Sequence, residues 1–162
     1  MKRFSIAFLL FCIVCIRASS PAQIHFTAAL DSAQESPSPV GLVPGKGTGA
    51  FVLNESRTAL TYYITVTGLS GNLNAGHFHN GRPGVPGNVV RTLTFVNNTA
   101  SGIWKSTDSQ PLTGALVQEL LLGRIYVNVH TTANSGGEIR GQVNLSTGLT
   151  FSAQLDSAQE TP

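Results

Sequence analysis

The chain has 162 residues, ten basic and eight acidic side chains, 41% hydrophobic residues and two cysteines. That length suits one domain, able to bury about two-thirds of the surface its unfolded chain exposes. So small a net charge offers no basic face to nucleic acid or an anionic membrane.

The first element is a leader. Lys2 and Arg3 precede an unbroken apolar run from Phe4 to Ile16. The run is too short to span a bilayer, carries the charge pattern of a secretory signal, and is followed by the small residues of Ser20-Pro-Ala22, which places cleavage after Ala22. Residues 1–22 are therefore read as a signal peptide and the product as secreted, extracellular, periplasmic or held at the cell surface. Phe11 before Cys12 argues against a lipoprotein signal. Cleavage removes both cysteines (Cys12 and Cys15) with Lys2, Arg3 and Arg17, leaving 10 − 3 = 7 basic against 8 acidic groups. The pI near 8.7 thus belongs to the precursor. The remainder has no membrane span, no disulfide and no thiolate metal site.

Beyond residue 22, low charge and many Gly, Thr, Val and Asn point to an all-β domain. Alternation and turn residues predict strands over Thr48–Leu53, Ala59–Val66, Val89–Phe95, Gly102–Lys105, Arg124–His130 and Glu138–Asn144. Leu112–Leu122 instead has helical spacing, with Gly123 placed to end a helix. The expected architecture is an antiparallel β-sandwich or partly open Greek-key barrel with one short helix, spanning residues 23–148.

The two ends of the chain repeat one another. Phe26-Thr-Ala-Ala-Leu-Asp-Ser-Ala-Gln-Glu-Ser-Pro37 returns as Phe151-Ser-Ala-Gln-Leu-Asp-Ser-Ala-Gln-Glu-Thr-Pro162, identical at nine of twelve positions. A repeat of domain length is implied, so residues 149–162 are read as the start of a second repeat or, failing that, as an edge strand equivalent to residues 25–37.

Three histidines carry the chemistry. In Ala75-Gly-His-Phe-His-Asn80 the His-x-His spacing puts His77 and His79 on one face of a strand, with Phe78 directed to the core. In Ile125-Tyr-Val-Asn-Val-His130 the apolar residues share one face, and Tyr126, Asn128 and His130 share the other. A short loop makes this strand a hairpin with the next, bringing Glu138 or Arg140 toward His130. All three histidines then lie on one polar surface if the His-x-His strand neighbours that hairpin. Three imidazoles with an open fourth position suit zinc or copper, and Asn128, Glu138 and Arg140 are candidates for supporting the ligands from behind. The plainer alternative is that the histidines hydrogen-bond across the sheet and fix strand pairing. No general base or nucleophile has a defined spacing, so an enzyme is the less favoured reading.

Other features take structural explanations. Gly81-Arg-Pro-Gly-Val-Pro-Gly87 lacks the lysine and following helix of a phosphate loop and reads as a surface loop beside His79, able to rim a ligand site. Asp31 and Glu35 supply too few oxygens for calcium. The patterns at Asn54, Asn97 and Asn144 fit glycosylation acceptors, a short motif that also arises by chance.

Together these segments carry a family resemblance. Phe26-Thr-Ala-Ala-Leu with Ala33-Gln-Glu35, Gly47-Thr-Gly-Ala-Phe51, Ala75-Gly-His-Phe-His79, Tyr126-Val-Asn-Val-His-Thr131 and Gly136-Gly-Glu-Ile-Arg-Gly-Gln142 resemble the CHRD domain, a module named from chordin and found in exported bacterial proteins, often in tandem. The resemblance covers about residues 25–145. It implies a β-sandwich extracellular module without a defined activity. The cysteine-rich repeats that bind growth factors in chordin-like proteins are missing here. The reading is therefore an exported CHRD-like binding or structural module with an extracellular protein or surface as partner, carrying a three-histidine metal site. The alternative is a copper or zinc metalloprotein with redox or hydration chemistry at His77, His79 and His130.

Overall fold

The computed structural model describes residues 22–41 and 44–146. Except for Ala22, the leader lies outside the described residues, and so does the whole of the second repeat segment, residues 149–162. Among the described residues nine strands form in chain order: β1 Ile24–Asp31, β2 Lys46–Leu53, β3 Ala59–Thr67, β4 Leu73–Asn80, β5 Asn88–Leu93, β6 Thr99–Lys105, β7 Ile125–Thr131, β8 Ile139–Gln142 and β9 Asn144–Leu145. A 3-10 turn, Ser32–Gln34, follows β1, and a helix, α1, Gly114–Leu121, lies between β6 and β7.

Local chemistry explains the punctuation. The Asn54 side-chain oxygen accepts from the amides of Thr58 and Ala59, closing the β2–β3 hairpin. Asn97 and Asn98 both adopt positive φ in the turn between β5 and β6, as a two-residue primed turn requires. Thr113 caps α1 by accepting from Leu116 N at 3.2 Å, and Gly123 leaves it at φ +66°.

All pairings are antiparallel, and the sheet runs β5-β4-β7-β8-β1-β2-β3-β6, with β9 alongside β1. The sheet curls into a nearly closed barrel whose seam lies between β5 and β6. Among the described residues no ladder joins these two beyond the Val96–Thr99 bridge at their turn. The segment between β6 and α1 stitches the seam instead: Asp108 pairs with Arg91, Gln110 accepts from Thr92 N at 2.9 Å, and its carbonyl accepts from Trp104 Nε1 at 2.7 Å.

The inward face of each strand builds one core. At its centre the Phe78 ring stacks on Trp104 at 5.3 Å and meets Phe51 and Tyr62 edge-on at 5.9 and 5.6 Å. Val117 and Leu120 of α1 are also buried.

Two expectations need correction. β1 is no edge strand, for it pairs over its whole length with β2 on one side and contacts β8 and β9 on the other. Repetition in sequence marks a unit of structure, but it carries no information about that unit's neighbours in the sheet. The last predicted strand, Glu138–Asn144, divides at Val143, whose side chain is buried, into β8 and the short β9. No helix of the described residues is long and apolar enough to cross a membrane.

Candidate metal centre

β4 and β7 are direct neighbours, with His77 opposite Asn128, His79 opposite Tyr126 and Ala75 opposite His130. Period-two alternation then sends His77, His79 and His130 to one side while Phe78, Val127 and Val129 enter the core. One ligand atom from each histidine lies within 4.8 Å of the others.

Backbone carbonyls fix which nitrogens face the centre. His79 Nδ1 lies 2.9 Å from Gly87 O, and His130 Nδ1 lies 3.0 Å from Ser135 O. A carbonyl only accepts, so both Nδ1 atoms carry the proton and both Nε2 atoms present a lone pair. His130 Nε2 faces His77 Nδ1 at 3.2 Å. His79 Nε2 is buried and has no hydrogen-bond partner. A buried imidazole lone pair left without a donor is costly in a folded protein, unless something absent from the polypeptide completes it. Burial lowers the pKa of His77, with His130 and His79 adding to the effect. Burial also lowers that of His79, against the hydrogen bond to Gly87, with His130 and Arg140 reinforcing it. Both rings are held in the neutral form that metals bind.

The loop between β4 and β5 is tied down behind this group. The His79 ring stacks on Tyr126 at 4.8 Å, and the Arg140 guanidinium lies over the other ring of that pair, 3.5 Å from the Tyr126 centroid. Arg140 donates to Val85 O at 3.1 Å and Arg82 O at 2.7 Å, Gln142 donates to Gly81 O at 2.9 Å, and Gly87 N donates to the Tyr126 hydroxyl at 3.0 Å. The Gly81–Gly87 turn expected to rim the site thus supplies, through Gly87, the carbonyl that orients His79.

Of the three outer candidates, only Arg140 stands behind a histidine, and it does so through Tyr126. Asn128 turns toward Glu35, its Nδ2 lying 3.4 Å from Glu35 Oε1. Glu138 is fully buried, and its carboxylate accepts from Ser70 N at 2.7 Å, Ser70 Oγ at 2.6 Å and Thr131 Oγ1. It does not reach His130. The hairpin reaches Glu138 through Gly137 at φ +132°, outside the regular strand geometry on which the facing argument relied.

Sequence reasoning missed three participants: the Gly87 and Ser135 carbonyls and Glu35. Carbonyls leave no mark on residue type. Glu35, distant in sequence, is buried beside Arg140. Burial raises its carboxyl pKa, overriding the Ser36 amide, the Arg140 charge and Asn128. Its Oε2 and Asn128 Oδ1 are both buried without partners, and both flank the point where a Gly137 side chain would begin, at 2.6 and 2.9 Å. Glu35→Gln places a donor there while keeping the oxygen that serves Ser36. A raised folded pKa means stability present below the unfolded value of 4.5 and lost as pH rises through the folded one. The substitution is therefore expected to stabilise by about 0.5–1.5 kcal/mol at pH 7 and by less at pH 4. Urea unfolding at the two pH values measures this, and a loss of stability at pH 7 contradicts it.

Comparison with known proteins gives one result. A family model described as CHRD domain matches residues 26–143, a span that contains the three site histidines, β2 to β8 and all of β1 but its first two residues. No curated protein matches the chain.

Proposed function

The chain belongs to the CHRD domain family, and from that premise we propose that it is an exported binding or structural module whose strand-borne histidines hold one zinc or copper ion. His77 Nδ1, His79 Nε2 and His130 Nε2 are the ligands. The observation that carries this reading is the unpartnered, buried His79 Nε2 beside two further imidazole nitrogens. One edge of the site agrees in size as well. Two nitrogens, each about 2.0–2.1 Å from a tetrahedral zinc, stand about 3.3 Å apart, and His77 Nδ1 and His130 Nε2 are separated by 3.2 Å. An all-nitrogen set is equally acceptable to copper. A bound ion would supply positive charge and an open coordination position. The chain's own contribution is to hold the His77 and His79 rings neutral and to fix the tautomers of His79 and His130 through Gly87 and Ser135. Arg140 is the positioning residue, acting on His79 through the Tyr126 ring. The wider role is that of a module met by an extracellular protein or surface, repeated in tandem in a longer protein.

The second reading is a small copper or zinc enzyme with redox or hydration chemistry. It draws on the partial exposure of His77 and His130, which leaves a fourth position within reach of solvent. Its turnover would vanish with chelation.

Elemental analysis of untagged protein decides the main reading. Near one zinc or copper per chain is expected in the parent, and none in a variant with His77, His79 and His130 all replaced by alanine. Parent protein that is metal-free and takes up neither added ion would leave the histidines as sheet-pairing residues.

A further inference from the structure

The three-histidine centre lacks an anion. A divalent ion brings two positive charges, and neutral imidazoles cancel neither. Among the described residues no carboxylate joins the three rings. Glu138 is committed to Ser70 and Thr131, and Glu35 lies beside Asn128 and Arg140. The charged group behind the site is Arg140, of the same sign as the ion. His79, 8% exposed and with an unpartnered Nε2, forms a buried floor, and charge held there without a counter-charge is costly.

Strand register shows what borders the open position. His77 stands opposite Thr92 of β5, His79 opposite Val89 of β5, and His130 opposite Ala75 of β4. Residues directly opposite share a face, so Thr92 and Val89 lie on the histidine side of the sheet. Thr92 N donates away from β4, to Gln110 Oε1 at 2.9 Å. His77 and Thr92 are therefore a non-hydrogen-bonded pair, the kind whose side chains stand closest. Thr92 is exposed, Val89 is 47% exposed, and His77 and His130 are half-exposed. A ligand arriving from solvent thus meets the ion flanked by a hydroxyl donor on one side and an apolar side chain on the other.

We propose that the fourth ligand of this centre is a carboxylate from outside the chain, with one oxygen on the ion and the other accepting from the Thr92 hydroxyl. The inference rests on the metal reading above. A monoanion with two oxygens matches a site that offers one ion and one hydroxyl. Arg140 is 1% exposed and turned to the carbonyls of Arg82 and Val85, so the larger charge of a phosphate finds no further cation. Such a carboxylate comes either from a free small acid or from an acidic side chain of a partner protein.

Full-length protein loaded with copper(II), or with cobalt(II) as a coloured substitute for zinc, is titrated with acetate while the visible spectrum is followed. A saturable shift is expected, half-complete at about 1–10 mM, and none with acetamide, which has the same shape and no charge. At full metal occupancy Thr92→Val should weaken acetate about fivefold through loss of one hydrogen bond. The peptide acetyl-Val-Asp-Val-amide separates the sources. Binding about tenfold tighter than acetate assigns the carboxylate to a partner's side chain whose apolar neighbours meet Val89, whereas binding no tighter assigns it to a free acid. Protein that holds the ion and ignores acetate at about 100 mM, or responds equally to acetamide, overturns this inference and leaves the metal reading standing. Unaltered acetate affinity in Thr92→Val overturns it too. Protein that takes up neither ion overturns both.

Discussion

Phe78→Ala is expected to cost about 3–5 kcal/mol and to weaken zinc or copper uptake about tenfold or more in the molecules that remain folded. The stability loss follows from position. Phe78 is fully buried, stacked on Trp104 and met edge-on by Phe51 and Tyr62, so truncation leaves a cavity in the aromatic cluster of the core. The loss of affinity follows from sequence, because Phe78 is the residue between His77 and His79, and its packing sets the height of β4 over the core. Leu120→Ala, in α1, which packs against β7 and β9, is a control of similar cost, about 2–5 kcal/mol. Urea midpoints together with metal titrations under folded conditions separate the two effects. Equal metal affinity in the parent and both variants would show that the core does not position the ligands.

Glu138→Ala is the second large effect, about 3 kcal/mol or more at pH 7. The substitution strands the Ser70 amide, the Ser70 hydroxyl and the Thr131 hydroxyl, all of which now donate to one buried carboxylate. Burial by itself raises the pKa of this carboxyl. The hydrogen bonds from Ser70, Thr131 and Asn134 outweigh it and hold the pKa below the unfolded value of 4.5. A depressed folded pKa gives stability that is present above the unfolded value and is lost as pH falls through the folded one. The deficit of the variant should accordingly be full at pH 7 and shrink on acidification, the reverse of the trend at Glu35. Chemical denaturation at pH 7 and pH 3 reads both, and a deficit independent of pH would show that the carboxylate charge contributes nothing.

Alternation made β2 and β3 readable, because each buries every second residue, whereas β7 and β8 are buried on both faces; the same period placed the three histidines on one face. The assembly of that face required only that β4 lie beside β7, as it does. Helical spacing and Gly123 located α1, although Leu112 proved to lie before the capping residue rather than in the helix. What parity could not supply was anything set by a departure from regular strand. Glu138 follows a glycine at positive φ and faces Ser70 and Thr131 instead of His130. The interior placement of β1 and the meeting of Glu35 with Asn128 and Arg140 depend on which distant strands become neighbours, a property of the whole sheet rather than of any window of sequence.

The seam between β5 and β6 has a consequence for motion. A closed barrel can open only by breaking a continuous ladder, whereas this one has a place where Arg91, Thr92 and Trp104 reach across to a connecting segment in place of strand pairing. Side-chain links of that kind release one at a time, so the lowest-energy opening parts β5 from β6 and leaves β1, β2 and β8 closed. Amide hydrogens along the two seam strands should therefore exchange with solvent well before those of β1 and β2. Because β5 pairs directly with β4, the metal-binding strand lies one ladder away from the point where the barrel first yields.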